Sequence, residues 1–144
     1  MSDWYGSARS NHFCVKDKDA FLKWVDTVPD LIAQGCEGED GQIGEGVFMI
    51  YSDDQYGGWP AYRTVDDADD DQEIDLLAEL SKHLAKGEVA VLMEIGAEKI
   101  RYLSGIAQAV DWRGRTARVS LTDIYEVAAK TFRVAKKKIS EAAY

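Results

Sequence analysis

The sequence predicts an α+β fold, a single domain in which about three helices pack on one antiparallel sheet. Three observations predict this class. The last third of the chain contains three β-rich stretches separated by short turns, which is typical of a C-terminal three-strand meander. Elsewhere, strand-like and helix-like segments are mixed without the strict alternation of a parallel sheet. A length of 144 residues suits one hydrophobic core, so residues 1–144 are expected to form a single domain.

The meander is predicted to comprise strands at residues 88–95, 99–110 and 116–121. Gly105 lies inside the second stretch and predicts a β-bulge, because glycine has no side chain to pack in a regular ladder. Every second residue of the third stretch is apolar, which predicts a row of core-facing side chains made of Ala117, Val119 and Leu121.

Two strands and one helix are predicted in the first half of the chain. Residues 11–15 and 47–51 are rich in β-forming side chains, and the apolar character of the second run predicts a central strand. Asp17 is expected to be the N-cap of a helix, because its carboxylate can accept the free amide hydrogens of the first turn. The buried stripe of this helix is expected to contain Phe21, Trp24, Val25 and Val28.

Two further helices are predicted from apolar residues at helical spacing. The stripe of the first comprises Ile74, Leu77, Leu80 and Leu84. The second begins at the capping-box pattern of residues 120–123. Its expected buried stripe is Ile124, Val127, Ala128 and Phe132. The basic tail, residues 136–144, is expected to be a short edge strand or a frayed end.

Negative charge is concentrated in the middle of the chain. Residues 37–79 contain fourteen acids and one base, Arg63, for a net charge of −13, whereas residues 80–144 carry a net charge of +5. A field of this kind repels nucleic acid and attracts basic surfaces. A total charge of −9 alone is explained by solubility, but the separation of sign favours a functional acidic patch.

The strongest candidate for a binding site is the acidic, aromatic stretch 52–73. Glycine and proline interrupt residues 52–60, which predicts an irregular loop there, and a brief strand is expected at residues 61–63. Five Asp within residues 66–71 exceed what helix capping requires. Large aromatics in such a loop either anchor it in the core or act as protein–protein hot spots, and Trp59 is the best candidate for an anchor. The predicted partner-binding residues are Asp53, Asp54, Tyr56, Trp59, Tyr62, Asp66, Asp67, Asp69, Asp70, Asp71, Glu73 and Asp75.

Motifs for catalysis or cofactor binding are not found in the sequence. His12 and Cys14 have a spacing that a metal could use on a strand, but further ligands would have to come from Cys36 or His83 without supporting spacing. The nucleophile elbow, the phosphate loop and the dinucleotide fingerprint do not occur. We therefore expect a protein that is not an enzyme and that uses no cofactor or metal.

A small basic cluster surrounds one aromatic residue near the end of the meander. It comprises Trp112, Arg113, Arg115 and Arg118. Such a cluster suits phosphates and stacked bases. Direct nucleic-acid binding is nevertheless not expected, because the −13 segment belongs to the same domain and the sequence pI is about 4.7.

A cytoplasmic location is expected from what the sequence lacks. It contains no apolar run of about 18 residues and no basic, apolar leader at its start. In that compartment Cys14 and Cys36 are expected to remain reduced thiols.

Two stretches, WYGSARSN leading into FCVKD at residues 4–17 and VAVLMEIGAEK at residues 89–99, carry a resemblance. They resemble small acidic proteins of bacterial plasmids, prophages and other mobile elements. The resemblance implies a setting in which antirestriction proteins and anti-CRISPRs occur, some of which mimic the phosphate charge of DNA.

Charge and resemblance together favour a non-enzymatic inhibitor of a host nucleic-acid-binding defence complex. Its acidic surface, acting as a DNA mimic, would occupy a basic groove of a host protein, without contacting nucleic acid or a membrane itself. One alternative is an immunity or antitoxin-like protein, or an adaptor, that binds another basic partner. A second alternative is a small enzyme or ligand-binding protein with a pocket near Glu94, His12 or Cys14.

Overall fold

An antiparallel sheet of seven strands organises the part of the chain that the structure, a computed structural model, describes. That part comprises residues 4–37, 43–54, 56–63, 65, 71–98 and 102–142. The strands are β1 Trp4–Ser10, β2 Phe13–Cys14, β3 Leu31–Glu37, β4 Ile43–Ser52, β5 Tyr62–Arg63, β6 Gln72–Glu73, β7 Val89–Glu98, β8 Tyr102–Asp111 and β9 Thr116–Ser120. The helices are α1 Lys18–Asp26, α2 Leu76–Ser81, α3 Asp123–Phe132 and a 3-10 turn, Lys136–Lys138.

The order of the strands places the first strand of the chain, β1, between β4 and β7 in the middle of the sheet. Strand β4 pairs with β3 on one side and with both β2 and β1 on the other. Strand β1 then pairs with β7, followed by β8 and β9. Consecutive antiparallel pairing of β7, β8 and β9 is the predicted meander, and the mixed α+β class is confirmed. The separate β5–β6 ribbon lies within the stretch 52–73, and β5 falls within residues 61–63, where a brief strand was expected.

Strand β1 was not predicted, although it pairs with β7 over its whole length, from Trp4 opposite Glu98 to Ser10 opposite Leu92. Its sequence, WYGSARS, mixes serine, glycine and arginine and lacks the β-branched residues that usually mark a strand. The ladder to β7 therefore imposes the extended conformation, and local propensity contributes little.

One face of the sheet, here called the core face, forms the hydrophobic core with α1 and α2. Phe13, Ile50, Leu92 and Val110 project from it and are almost completely buried. Helix α1 begins where predicted, since an oxygen of the Asp17 carboxylate accepts the Ala20 amide at 3.1 Å. Its stripe is buried as expected, and the Phe21 ring meets the Phe13 ring edge-on at 5.9 Å between centroids.

Helix α2 is shorter than its sequence pattern suggests. It begins after Asp75, whose side chain accepts the Ala78 amide at 3.1 Å, and it ends at Ser81. Leu76 and Leu80 are buried against the core face, and Leu84, which lies beyond the helix, is buried as well. Leu84 forms an isolated antiparallel β-bridge with Val15, and the chain then continues to β7.

The predicted burial of α3 is wrong. Its expected stripe is largely exposed, with 58% of Ile124, 54% of Val127 and 71% of Phe132 accessible, and none of its described residues is buried. The core face already has α1 and α2 as its cover, and α3 contacts mainly the end of β9 and the 3-10 turn. About three helices were expected to pack on the sheet, whereas the described residues show two that do.

The orientation predicted for β9 is also wrong. Ala117, Val119 and Leu121 are exposed, and they project from the face opposite to Leu92 and Val110.

The predicted β-bulge at Gly105 is not formed, because the pairing of β7 with β8 continues through Gly105 opposite Ile95. A side chain at position 105 would instead overlap Leu121, whose Cγ lies 2.8 Å from where the Cβ would be. The basic tail forms the 3-10 turn in place of an edge strand within the described residues.

We expect Leu80→Ala to lower the free energy of unfolding by about 2–5 kcal/mol, because Leu80 is fully buried and its loss leaves a cavity under α2. Urea denaturation at fixed protein concentration measures this change. The matched control is Lys82→Ala next to the same helix, an exposed position where a change within about 0.5 kcal/mol is expected. Equal losses in the two variants would contradict the described core.

Candidate functional site

The segment 53–63, which follows β4, is held in place by its own hydrogen bonds. The Asp53 amide donates to the Asp30 carbonyl at 2.8 Å, and the Ser52 hydroxyl donates to the Gly58 carbonyl at 2.7 Å. Between them, the Gly57 amide donates to the Asp54 carbonyl at 2.9 Å and closes a tight turn. The described residues from Asp53 to Ala61 form no helix or strand, as expected, and local hydrogen bonds hold them in place.

This turn lies directly on β1, because two glycines allow the backbones to meet. Gly57 has a φ angle of +79°, and a Cβ atom at this position would overlap the backbone of Gly6 and Ser7. Gly6 in turn would place a Cβ against the Tyr56 carbonyl oxygen. Only glycine fits at such a close approach. The contact places the segment over the core side of the sheet.

Aromatic residues of this segment divide into one anchor and two exposed side chains. Trp59 packs against the hydrophobic core. Tyr56 and Tyr62 remain 49% and 54% exposed, so both rings are available for contact with a partner. The segment thus presents two tyrosines on a base that Trp59 fixes to the domain.

Acidic side chains surround these tyrosines along the chain. Asp53, Asp71 and Glu73 are exposed, Asp54 is partly buried, and the exposed Asp75 also caps α2. The predicted residues Asp66, Asp67, Asp69 and Asp70 lie outside the described residues. We call Asp53, Asp54, Tyr56, Tyr62, Asp71 and Glu73 the acidic aromatic surface.

The one base of residues 37–79 is occupied by an internal ion pair. Arg63 contacts the Glu79 carboxylate, and its Nε donates to the Thr27 hydroxyl at 3.2 Å. Glu79 also accepts the Trp24 indole N–H at 2.9 Å, so the pair ties the β5–β6 ribbon to α1 and α2. Arg63 therefore neutralises Glu79 and leaves the acids of the acidic aromatic surface to act outward.

Beneath this segment lies one carboxyl group in an unfavourable setting. Glu94 projects from β7 on the same face as Leu92, and its Oε1 lies 3.4 Å from where a side chain on Gly58 would begin. Burial raises the pKa of the Glu94 carboxyl above its usual range, since the charged form loses water there. Placing segment 53–63 on the sheet therefore partly buries the charged Glu94 carboxylate, which lowers the stability of the fold.

The residues considered as metal ligands do not meet. Cys36 is buried on β3, and Cys14 lies on β2, where its own amide donates to Glu88 Oε1 at 2.7 Å. His83 stacks on the Trp24 ring with centroids 5.1 Å apart, and burial lowers the pKa of this imidazole. Across the described ranges no three metal-ligating side chains form a cluster.

The basic cluster is partly engaged within the molecule. The Arg113 guanidinium lies 4.6 Å above the Trp112 ring, and Trp112 packs against the core. Arg115 forms an ion pair with Asp111 at 2.6 Å, and Asp111 also accepts the amides of Arg113 and Arg115. These contacts lower the pKa of the Asp111 carboxyl, in spite of its partial desolvation. The cluster shapes the β8–β9 turn and leaves Arg118 exposed.

A second surface, which the sequence analysis missed, is the uncovered face of the meander. We define the open sheet face as Val91, Met93, Ile95 and Ala97 of β7, Leu103, Gly105, Ala107 and Ala109 of β8, and Ala117 and Val119 of β9. These positions carry no charge, and Met93, Ile95 and Leu103 are 55%, 62% and 63% exposed. The signal was present in residues 89–93, where apolar residues occupy successive positions and thus both faces of the strand.

Comparison with known proteins gives no relative of this chain. No protein-family model, curated protein or solved structure matches it. Among the helices of the described residues, none has the length and apolar character needed to cross a membrane.

We expect Gly57→Ala to be far more damaging than Gly87→Ala. Both glycines have positive φ angles, +79° and +86°, and share a strain of about 1–2 kcal/mol for any other residue. Only Gly57 faces a clash, since nothing lies within 4 Å of a side chain at Gly87. Gly57→Ala should shift Trp59 fluorescence towards longer wavelength as the segment leaves β1, and equal effects of the two variants would argue against this docking.

We expect Glu94→Gln to raise stability at pH 7 relative to the unchanged protein. Because the folded pKa of Glu94 is raised, ionisation favours the unfolded chain, and stability falls as pH rises through the unfolded value of about 4.3 towards the folded value. The advantage of the variant should vanish below about pH 4, where both states are protonated. Urea denaturation between pH 3.5 and 7.5 tests this, with the exposed Glu73→Gln as control.

Proposed function

We propose that this protein is a non-enzymatic inhibitor that binds a basic, nucleic-acid-handling partner through the acidic aromatic surface. The observation that carries the proposal is the pair of half-exposed tyrosines, Tyr56 and Tyr62, on an ordered segment rich in acids. Tyrosine is enriched among the residues that dominate protein–protein binding energy. The surrounding acids favour a partner with clustered Arg and Lys.

The physical roles of the two kinds of residue differ. Acids steer a basic partner over a range set by the Debye length, about 8–10 Å at physiological salt, and they penalise acidic partners. Tyrosines supply apolar area and a hydroxyl group at a small cost in conformational entropy. Because Trp59 and the Gly57 turn fix the segment, binding requires little ordering of it.

The class of partner follows from charge and from the resemblance to proteins of mobile elements. A groove that holds DNA or RNA is lined by Arg and Lys, and a row of carboxylates can occupy it as phosphates do. We therefore propose that the partner is a host defence complex, of the CRISPR-effector or restriction type, and that the inhibitor works in the cytoplasm. A basic toxin, for which this protein would be the immunity partner or antitoxin, is the alternative that uses the same surface.

We expect the triple variant Asp53→Asn, Asp71→Asn, Glu73→Gln to weaken inhibition about tenfold, because three lost charge contacts of about 0.5 kcal/mol each amount to about 1.5 kcal/mol. The control variant removes three exposed acids elsewhere: Asp19→Asn, Asp26→Asn and Glu141→Gln. Both variants change the net charge by +3, so a difference in inhibition between them must come from the position of the removed charges.

The measurement is phage plating on bacteria that carry one defined CRISPR or restriction system each, with the protein or its variants expressed from a plasmid. The proposal predicts that the unchanged protein restores plating in at least one strain, and that the control variant does so equally. No restoration in any strain, together with capture of a small basic toxin from lysate, would favour the alternative. Equal loss in both triple variants would show that net charge alone acts.

A further inference from the structure

The open sheet face leaves apolar surface exposed on the side of the sheet opposite to the acidic aromatic surface, and α3 leaves a further apolar stripe exposed. Gly58 lies next to Glu94, which shares the core face with Leu92, whereas the open sheet face consists of the alternate residues of β7. The acidic aromatic surface and the open sheet face therefore have no residue in common. The proposed function makes no use of the open sheet face or of α3.

Helix α3 is held in position on one side only. The Lys136 ammonium group contacts the Glu126 carboxylate at 3.3 Å, and the Tyr125 hydroxyl accepts the Ala142 amide at 2.7 Å. The tail therefore covers the side of α3 that carries Tyr125. On another side, Ile124 and Val127 are exposed, and Phe132, seven residues after Tyr125 and on the same side of the helix, is exposed at its end. A helix of 10 residues is marginal in water unless its apolar side chains are packed.

The open sheet face has the shape that a helix or another sheet requires. Its central strand, β8, carries the small residues Gly105, Ala107 and Ala109. Larger side chains flank them, with Met93 and Ile95 on β7 and a third row made by Val119 and Leu121 at β9. Ala107 and Ala109 between larger side chains form a shallow trough, which Leu121 closes over Gly105. The positions of the open sheet face carry no charge, and Arg9 of β1 borders them beside Met93.

The trough continues into a groove beside α3. This groove, of about 940 Å³, lies between the start of β8, α3 and the tail, and Leu103 lines it as well as the open sheet face. The open sheet face and the groove are therefore one patch joined at Leu103, and its groove part is also lined by charged side chains, namely Asp123, Glu126, Lys136, Lys137 and Glu141. A molecule that covers this patch must therefore fit both the open sheet face and the groove beside α3.

We propose that a second copy of this chain covers this patch, with α3 of each copy lying across the open sheet face of the other in a two-fold dimer. Each copy supplies both an unpacked apolar helix and an unoccupied apolar trough, which is the self-complementarity that a two-fold interface requires. A strongly charged partner gains nothing from a trough without charge. In this dimer, α3 of each copy covers the open sheet face of the other copy, so both apolar surfaces are buried.

The open sheet face supplies about half of the area that a stable dimer buries. Its strands β7, β8 and β9, with ten, ten and five residues at about 4.8 Å spacing, present roughly 400 Å² on one face. The exposed stripe of α3 adds to this, and a standard stable interface buries about 800 Å² on each partner. The apolar character of the patch matches that of permanent homodimers, which resemble a domain core.

The dimer would present two acidic aromatic surfaces, since each lies on the side of its sheet away from the interface. Two identical surfaces allow a partner with two basic sites to be bound twice, which raises the apparent affinity when the spacing fits. This consequence rests on the proposed function, whereas the dimer itself does not.

The test is the mass in solution, measured by light scattering and by sedimentation at about 5–200 µM. We expect about twice the monomer mass of 16.0 kDa for the unchanged protein. Ile95→Asp on the sheet and Val127→Asp on α3 should each give a monomer, because each places an unpaired charge in the interface. The control is Tyr62→Asp, an equally exposed side chain on the other surface, which should leave the dimer intact.

Circular dichroism of the two monomeric variants distinguishes dissociation from unfolding, and both should retain the signal of a folded sheet, since the substituted side chains are exposed. A monomeric mass of the unchanged protein at 200 µM would overturn the proposal, as would a dimer that persists in both Ile95→Asp and Val127→Asp. A dimer that fails to inhibit any defence system would leave this inference standing and would count only against the proposed function.

Discussion

Burial of a single face of the sheet, under α1 and α2, is the constraint on which the other features of this molecule depend. Phe13, Ile50, Leu92 and Val110 project from neighbouring strands to the same side and meet Phe21 and Leu80 of the two helices. This packing uses the two helices that lie before β7, so that β9 and α3 extend beyond the covered area. The domain consequently has one side built of core and segment 53–63, and another side on which apolar residues remain accessible.

The sequence predicts best where a single local pattern decides the structure. Asp17 followed by an apolar stripe at helical spacing specifies α1, and three β-rich stretches joined by turns specify the meander. It predicts poorly where both faces of a strand are apolar. Alternation in β9 identifies Val119 and Leu121 as one row, but it does not say which side of the sheet α1 and α2 cover. The same limit explains α3, whose apolar stripe is present in the sequence but is not packed in the core.

Other features depend on contacts between distant residues and leave little trace in a single sequence. Strand β1 is extended because β7 pairs with it, and Gly6 and Gly57 are required because two backbones meet at that point. Gly105 was interpreted as a bulge, whereas it makes room for Leu121. For the candidate site, the chain composition indicated the acids and aromatics only as a group. Only the structure separates Trp59, which anchors the segment, from Tyr56 and Tyr62, which are exposed.

The central claim is that the acidic aromatic surface is the surface that contacts the partner. Hydrogen–deuterium exchange of the protein, alone and in complex with a defence complex captured from host lysate, tests it most directly because it reports every backbone amide at once. The account predicts that binding slows exchange in residues 53–63 and 71–75 and leaves α3 and β9 as they are in the free protein. Slower exchange confined to α3, β8 and β9, with residues 53–75 unchanged, would contradict it.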